Sequence, residues 1–173
     1  WFLNIIDWLR EWPCARKSGL GTPLPWSPGW IVETLTDSTV YMAFYTINKH
    51  ITQYKITAEQ LTGEVFDYLF YAKGDIKKIA QQSRISRELL EEMRSEFLYW
   101  YPFDLRISAK ELLPNHLTFC LFQHVALFPD HLPKAIGVNG VLSIEGKKMS
   151  KSKGNFVTLK GAIDQYGADA TRC

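Results

Sequence analysis

Between residues 104 and 144 the spacing of apolar residues changes period twice, and that switch limits the folds open to this chain. Asp104–Ser108 alternates as a short strand, with Leu105 and Ile107 on the face expected to turn inward. From Asn115, a residue type that caps helices, Leu117, Leu121, Phe122 and Val125 recur at helical spacing. Residues 135–144, AIGVNGVLSI, return to a β-like pattern. Two strands joined by a helix fit a parallel pair with a right-handed crossover, so the expected class is α/β with a parallel sheet. A parallel sheet normally has both faces covered, and two strands are few, so further strands are expected from outside this sequence.

The remaining segments read mostly as helices. Phe2, Ile5, Leu9 and Trp12 mark an amphipathic helix that Pro13 stops. A Gly- and Pro-rich loop, Ser18–Gly29, follows. Asp37-Ser38 opens a helix carrying Val40, Tyr41, Phe44, Tyr45 and Ile47, and residues 48–58 read as a connection. Thr57 and Gln60 have capping-box spacing ahead of Leu61, Val65, Phe66 and Leu69. Residues 73–85 are polar and weakly patterned. Ser86 caps a helix through Leu89, Leu90, Met93 and Phe97, which Pro102 ends. Thr158 opens a last full helix, Gly167 ends it, and Asp169 is placed to cap another. The expected division is a largely helical insertion at 48–100, a loop at 145–155, and the start of a further helical region at 158–173.

Composition narrows the function class. With 173 residues, 46% apolar and 22% charged, the chain is of the size and composition of one globular domain. Twenty basic against 18 acidic residues exclude a histone-like polycation. The three cysteines, Cys14, Cys120 and Cys173, form no CxxC pair, and no spacing joins the histidines, so no metal-ligating residues are assigned. No apolar run reaches the ~20 residues of a spanning helix, so no membrane partner is expected and the cytosol is the default compartment. A chain that starts at Trp1 rather than Met is expected to be a fragment or a processed product.

Charge concentrates in Lys147-Lys148-Met149-Ser150-Lys151-Ser152-Lys153-Gly154-Asn155. Mutually repelling amines on a Ser/Gly loop are suited to phosphate, although such a run is also met as a plain solvated loop. Lys148–Ser152 spells KMSKS, and it lies between a β-like segment and a helix. In both respects it resembles the signature loop of class I aminoacyl-tRNA synthetases. Cys14-Ala15-Arg16-Lys17-Ser18-Gly19-Leu20-Gly21-Thr22-Pro23-Leu24-Pro25-Trp26 resembles the leucyl enzymes of the archaeal and eukaryotic cytosolic type. Isoleucyl and valyl enzymes usually carry Trp-Gly where Leu20-Gly21 stands. Asp37–Ala43, Trp100–Arg106 and Ser108–His116 are also similar to the leucyl type.

That resemblance implies the C-terminal half of a Rossmann-like catalytic domain that activates leucine with ATP and transfers it to tRNA(Leu). It implies Lys148 and Lys151 as the catalytic cations at the leaving pyrophosphate, with Mg²⁺ sharing the charge. Met149, Ser150 and Ser152 of the loop are implied at ATP, with Ser108 and Glu111 near the ribose and His116 near the adenylate. Leu35, Ser38, Tyr41 and His116 match positions around the leucine side chain. Arg16 matches a loop near the site, with contact to tRNA or adenylate as open as a surface role. The family's HIGH tetrapeptide has no match among the four histidines, so the N-terminal half of the catalytic domain is implied as a partner. Two rivals stay open: a synthetase for isoleucine, valine or methionine, and a non-catalytic RNA-binding fragment.

Overall fold

A computed structural model describes residues 1–9, 11–141 and 143–172. The chain is mixed α/β. Helix α1 (Phe2–Trp8) leads to a short antiparallel pair, β1 (Ala15–Arg16) and β2 (Ile31–Val32). Helices α2 (Thr34–Gln53), α3 (Gly63–Tyr71), α4 (Ile76–Ser83) and α5 (Arg87–Trp100) follow in succession. Strand β3 (Arg106–Ala109) runs through a 3₁₀ turn and a π-helical turn (Leu113–Leu117) into α6 (Thr118–Leu127). After α6 come β4 (Ile136–Asn139), the hairpin strands β5 (Ser143–Ile144) and β6 (Lys147–Lys148), and helices α7 (Leu159–Tyr166) and α8 (Ala168–Arg172). No described helix is long and apolar enough to cross a membrane.

The parallel β–helix–β unit is present. β3 and β4 pair in parallel from Arg106↔Ile136 to Ala109↔Asn139, with α6 between them in the chain. Its orientation reverses the expected one. Leu105 and Ile107 are 58% and 59% exposed, and Arg106 is the β3 residue that reaches the helices. Ser108 shares that face by strand alternation. The Ile107 side chain lies across Gly137, where an added Cβ would come within 2.7 Å of Ile107 Cδ1.

The larger core lies among the helices. Ala43 and Ile47 of α2 pack with Val65 and Leu69 of α3, Ile79 of α4, and Leu90, Met93 and Phe97 of α5. Phe97 is surrounded by Phe70, Tyr101 and Phe128, with ring centroids 4.9–5.9 Å away. Arg94 donates to the carbonyls of Tyr68 and Leu69 in the last turn of α3, at 3.2 and 2.8 Å. A smaller core joins Ile5 of α1 to Leu113 and Leu117 of the π-turn, and Ile136 packs against it.

Helix limits differ from the expected ones for local reasons. α2 begins at Thr34 because the Glu33 carboxylate accepts from the Leu35 amide, and it continues to Gln53 through the segment read as a connection. Gln60 does reach back to the Thr57 amide at 3.0 Å, but α3 starts only at Gly63, so the glycine sits at the helix start rather than inside it. α4 was not expected. Asp75 caps it through the Lys77 amide at 2.8 Å, and Ile76, Ile79 and Ala80 supply a narrow apolar stripe. Ser86 and Thr158 cap α5 and α7 as expected, at 3.2 and 3.1 Å. Asp169 lies inside α8 rather than ahead of it. Cys14 and Cys120 are free thiols, while Cys173 and Leu142 of the expected 135–144 strand lie outside the described residues.

Candidate functional site

The C-terminal end of β3 gathers several of the implied site residues. The chain leaves the strand at Ala109 and passes Glu111 in an exposed 3₁₀ turn. The π-turn then carries His116 inward, where it is buried. Single π-helical turns are uncommon and recur at functional sites. Asn115 sits within this turn rather than capping α6; its amide donates to the Glu111 carbonyl at 3.2 Å and its oxygen accepts from the His116 amide.

His116 is held from two sides. Its Nε2 lies 2.9 Å from Ser38 Oγ and 3.3 Å from the Ser38 carbonyl, while its Nδ1 lies 3.3 Å from Arg106 Nη2. Ser38 Oγ also donates to the Leu35 carbonyl at 3.3 Å. Three implied residues, Leu35, Ser38 and His116, are thus joined across α2 and the π-turn. Burial, and then the Arg106 charge, lower the His116 pKa, with the bond to the Ser38 backbone opposing. Tyr41 is not joined to them. It is on the second turn of α2, 41% exposed, with its ring edge-on to Tyr45 at 5.0 Å.

A second buried polar string lies behind His116. The His124 Nδ1–H donates to the Cys120 carbonyl at 2.6 Å, and Nε2 accepts from the Tyr101 hydroxyl. The Cys120 thiol donates to the Thr39 carbonyl at 3.6 Å. Burial lowers the His124 pKa and raises those of Cys120 and Tyr101. Arg106, read before only as part of a matching segment, and His124, to which no role was given, are the polar residues the sequence reading missed. An arginine at an alternating position of a strand with apolar neighbours was the available signal.

The lysine loop leaves the C-terminal side of β4 through the β5–β6 hairpin. Glu145 and Gly146 both have positive φ, 51° and 74°, as a two-residue hairpin turn of mirror type requires. Asn155 then closes the loop from behind: its Oδ1 accepts from the Ser150 amide and its Nδ2 donates to the Lys148 carbonyl, both at 3.2 Å. Ser150 and Ser152 hydroxyls are 2.8 Å apart. Met149 and Ser150 are half-buried, whereas Lys148, Lys151 and Ser152 are exposed. Arg16 is spent locally, donating to the Leu20 carbonyl at 2.8 Å and lying 3.6 Å from Glu33.

Among the described residues no three His, Cys, Asp or Glu side chains gather as a metal cage.

The sequence is 56% identical over 175 residues to a leucine–tRNA ligase of Aeropyrum pernix, covering 99% of this chain and 18% of that protein. Leucine–tRNA ligases of Archaeoglobus fulgidus and Pyrococcus furiosus are each 54% identical at the same coverage, 99% of this chain and 18% of theirs. The chain therefore spans 18% of the length of these curated relatives. Residues 1–173 match the family described as tRNA synthetases class I (I, L, M and V), and the chain belongs to that family.

Proposed function

We propose that this chain is part of the Rossmann-like catalytic domain of a leucine–tRNA ligase, which activates leucine with ATP and passes it to tRNA(Leu). The observation that carries the reading is the Ser38–His116 pair at the C-terminal end of β3, with a lysine loop following β4 on the same side of a parallel pair. Ligands of open parallel sheets bind at that end. The names of relatives more than half identical along the whole chain favour leucine over isoleucine, valine or methionine.

In this reading leucine lies against Leu35, Ser38, Tyr41 and His116. ATP lies against Ser108, Glu111, His116 and the loop residues Met149, Ser150 and Ser152. The leucine carboxylate attacks the α-phosphorus and pyrophosphate leaves, carrying the negative charge that grows as the bond breaks. Lys148 and Lys151 meet that charge, which stabilises the transition state more than bound ATP. The carboxylate nucleophile has no proton to lose, so His116 serves position rather than base catalysis. Mg²⁺ would arrive on the phosphates of ATP, since the described residues do not fit a resident ion, and no step is assigned to it. The remaining contacts to ATP come from the N-terminal half of the same domain, and the reaction belongs in the cytoplasm.

The test is amino-acid-dependent ATP–pyrophosphate exchange by the intact protein that carries this chain. Exchange driven by leucine well above isoleucine, valine and methionine is expected. Exchange driven best by another of the four, or salt-dependent RNA binding with no exchange at all, overturns the reading.

A further inference from the structure

Resting on that reading, we propose that Arg106 is a positioning residue that holds His116 as its neutral Nε2–H tautomer beside the amino-acid site. The direction of every hydrogen bond around the ring follows from chemistry. A guanidinium donates and cannot accept, so the Nδ1 facing Arg106 Nη2 at 3.3 Å presents its lone pair. The single ring proton is then on Nε2, where it donates to Ser38 Oγ at 2.9 Å. The Ser38 hydroxyl hydrogen is free to go to the Leu35 carbonyl at 3.3 Å. Donors run one way, from Arg106 through His116 and Ser38 to the backbone of α2.

The Ser38 carbonyl, 3.3 Å from Nε2, is the one neighbour that favours an imidazolium, and it accepts equally from the neutral Nε2–H ring. From β3 the ring meets the Arg106 cation, and from α2 only Ser38. On the α6 side of Arg106 the titratable group is the Cys120 thiol, whose pKa burial raises. Among the described residues no carboxylate hydrogen-bonds the ring. A second proton on His116 would put like charges together in a buried place and would cut the Arg106 bond. It would also set a cation where the leucine ammonium group must enter. The reversed face of β3 thus has a use: it delivers a fixed donor to Nδ1, which an apolar residue at 106 would not.

The experiment uses the intact protein, with Arg106→Met and Arg106→Lys. Leucine and ATP KM and kcat are measured by pyrophosphate exchange between pH 6 and 8.5. Arg106→Met should raise leucine KM about tenfold with ATP KM unchanged, and that defect should grow toward acid pH, because without the Arg106 charge the His116 pKa is lowered by burial alone and the ring protonates more readily than in wild type. Arg106→Lys, which keeps a charged donor, should restore part of the leucine KM. A folded Arg106→Met with leucine KM within twofold of wild type and a flat pH profile overturns the proposal. Imidazole ¹⁵N spectra of the wild-type protein test it without any variant: the Nε2–H tautomer should persist from pH 5.5 to 8. An Nδ1–H ring, or ordinary titration near pH 6.5, also overturns it. A wild-type protein with no leucine-dependent exchange would sink the functional reading instead, and the ¹⁵N spectra would still decide the tautomer.

Discussion

His116 Nε2 lies 2.9 Å from the hydroxyl of Ser38, a residue 78 positions earlier in the chain. The bond crosses from the π-turn after β3 to the second turn of α2, and so it ties the first helix of the helical segment to the end of the parallel pair. It also commits the polar atoms of both side chains before any ligand arrives.

Ser38→Ala removes the side-chain acceptor of the His116 proton, leaving only the Ser38 carbonyl at 3.3 Å, while keeping α2 intact, because alanine is a better helix former than serine. One hydrogen bond of this kind contributes about 1 kcal/mol net. Leucine KM in pyrophosphate exchange should rise roughly five- to tenfold, with ATP KM unchanged. Equal losses for both substrates would show that the pair holds the fold rather than the leucine site.

Lys151 and Asn155 should separate in their effects. Lys151→Ala removes a cation from the growing charge and should lower the exchange rate roughly 10²–10³-fold with little change in leucine binding. Asn155→Ala leaves every lysine in place but frees the Ser150 amide and the Lys148 carbonyl from their staple. It should cost about tenfold in rate, from two hydrogen bonds of about 1 kcal/mol partly replaced by water. A wild-type rate for Asn155→Ala would show that the loop is ordered by ATP alone.

Stability should fall as the solution is made acidic. Burial lowers the pKa values of His116 and His124 in the folded protein, while in the unfolded chain they return to about 6.5. Between the lowered folded values and about 6.5 the unfolded chain binds more protons, so stability rises with pH across that interval and is fully present above it. Each histidine contributes at most about 1.4 kcal/mol per pH unit there. Thermal midpoints from pH 7.5 to 5 should therefore decrease, and His116→Gln should flatten the slope. An unchanged slope in that variant would mean that other groups carry the acid sensitivity.

Two glycines make a contrasting pair. A Cβ at Gly21 would stand 2.9 Å from the Val32 carbonyl oxygen, a backbone atom of β2 that cannot move alone. A Cβ at Gly137 would stand 2.7 Å from the tip of Ile107, an exposed side chain able to change rotamer. Gly21→Ala should destabilise by about 1–3 kcal/mol, and Gly137→Ala by about 1 kcal/mol or less. Chemical denaturation of both variants measures the order, and the reverse order would mean that Ile107 is pinned.

Where a feature depends on neighbours in sequence, the chain alone determined it. The caps at Ser86 and Thr158 were legible because a side-chain oxygen and an amide three residues on make one local contact. The parallel pairing of the segments near 106 and 136 followed from β-like runs joined by a helix. The lysine loop and its place after β4 were likewise visible in order along the chain, and Leu35, Ser38 and His116 were reached through resemblance to a family. Tertiary structure alone decided which face of β3 is covered. Alternation tells that Leu105 and Ile107 oppose Arg106 and Ser108, but not which set meets the helices; here the half-buried Arg106 lies 3.3 Å from His116 Nδ1, while Leu105 and Ile107 stay exposed. It also decided α4, whose short apolar stripe is too weak to stand by itself and is held by packing against α3 and α5. The pairing of Ser38 with His116 is of the same kind. No local rule links residues 78 apart, and only the folding of α2 onto the π-turn brings them within a hydrogen bond.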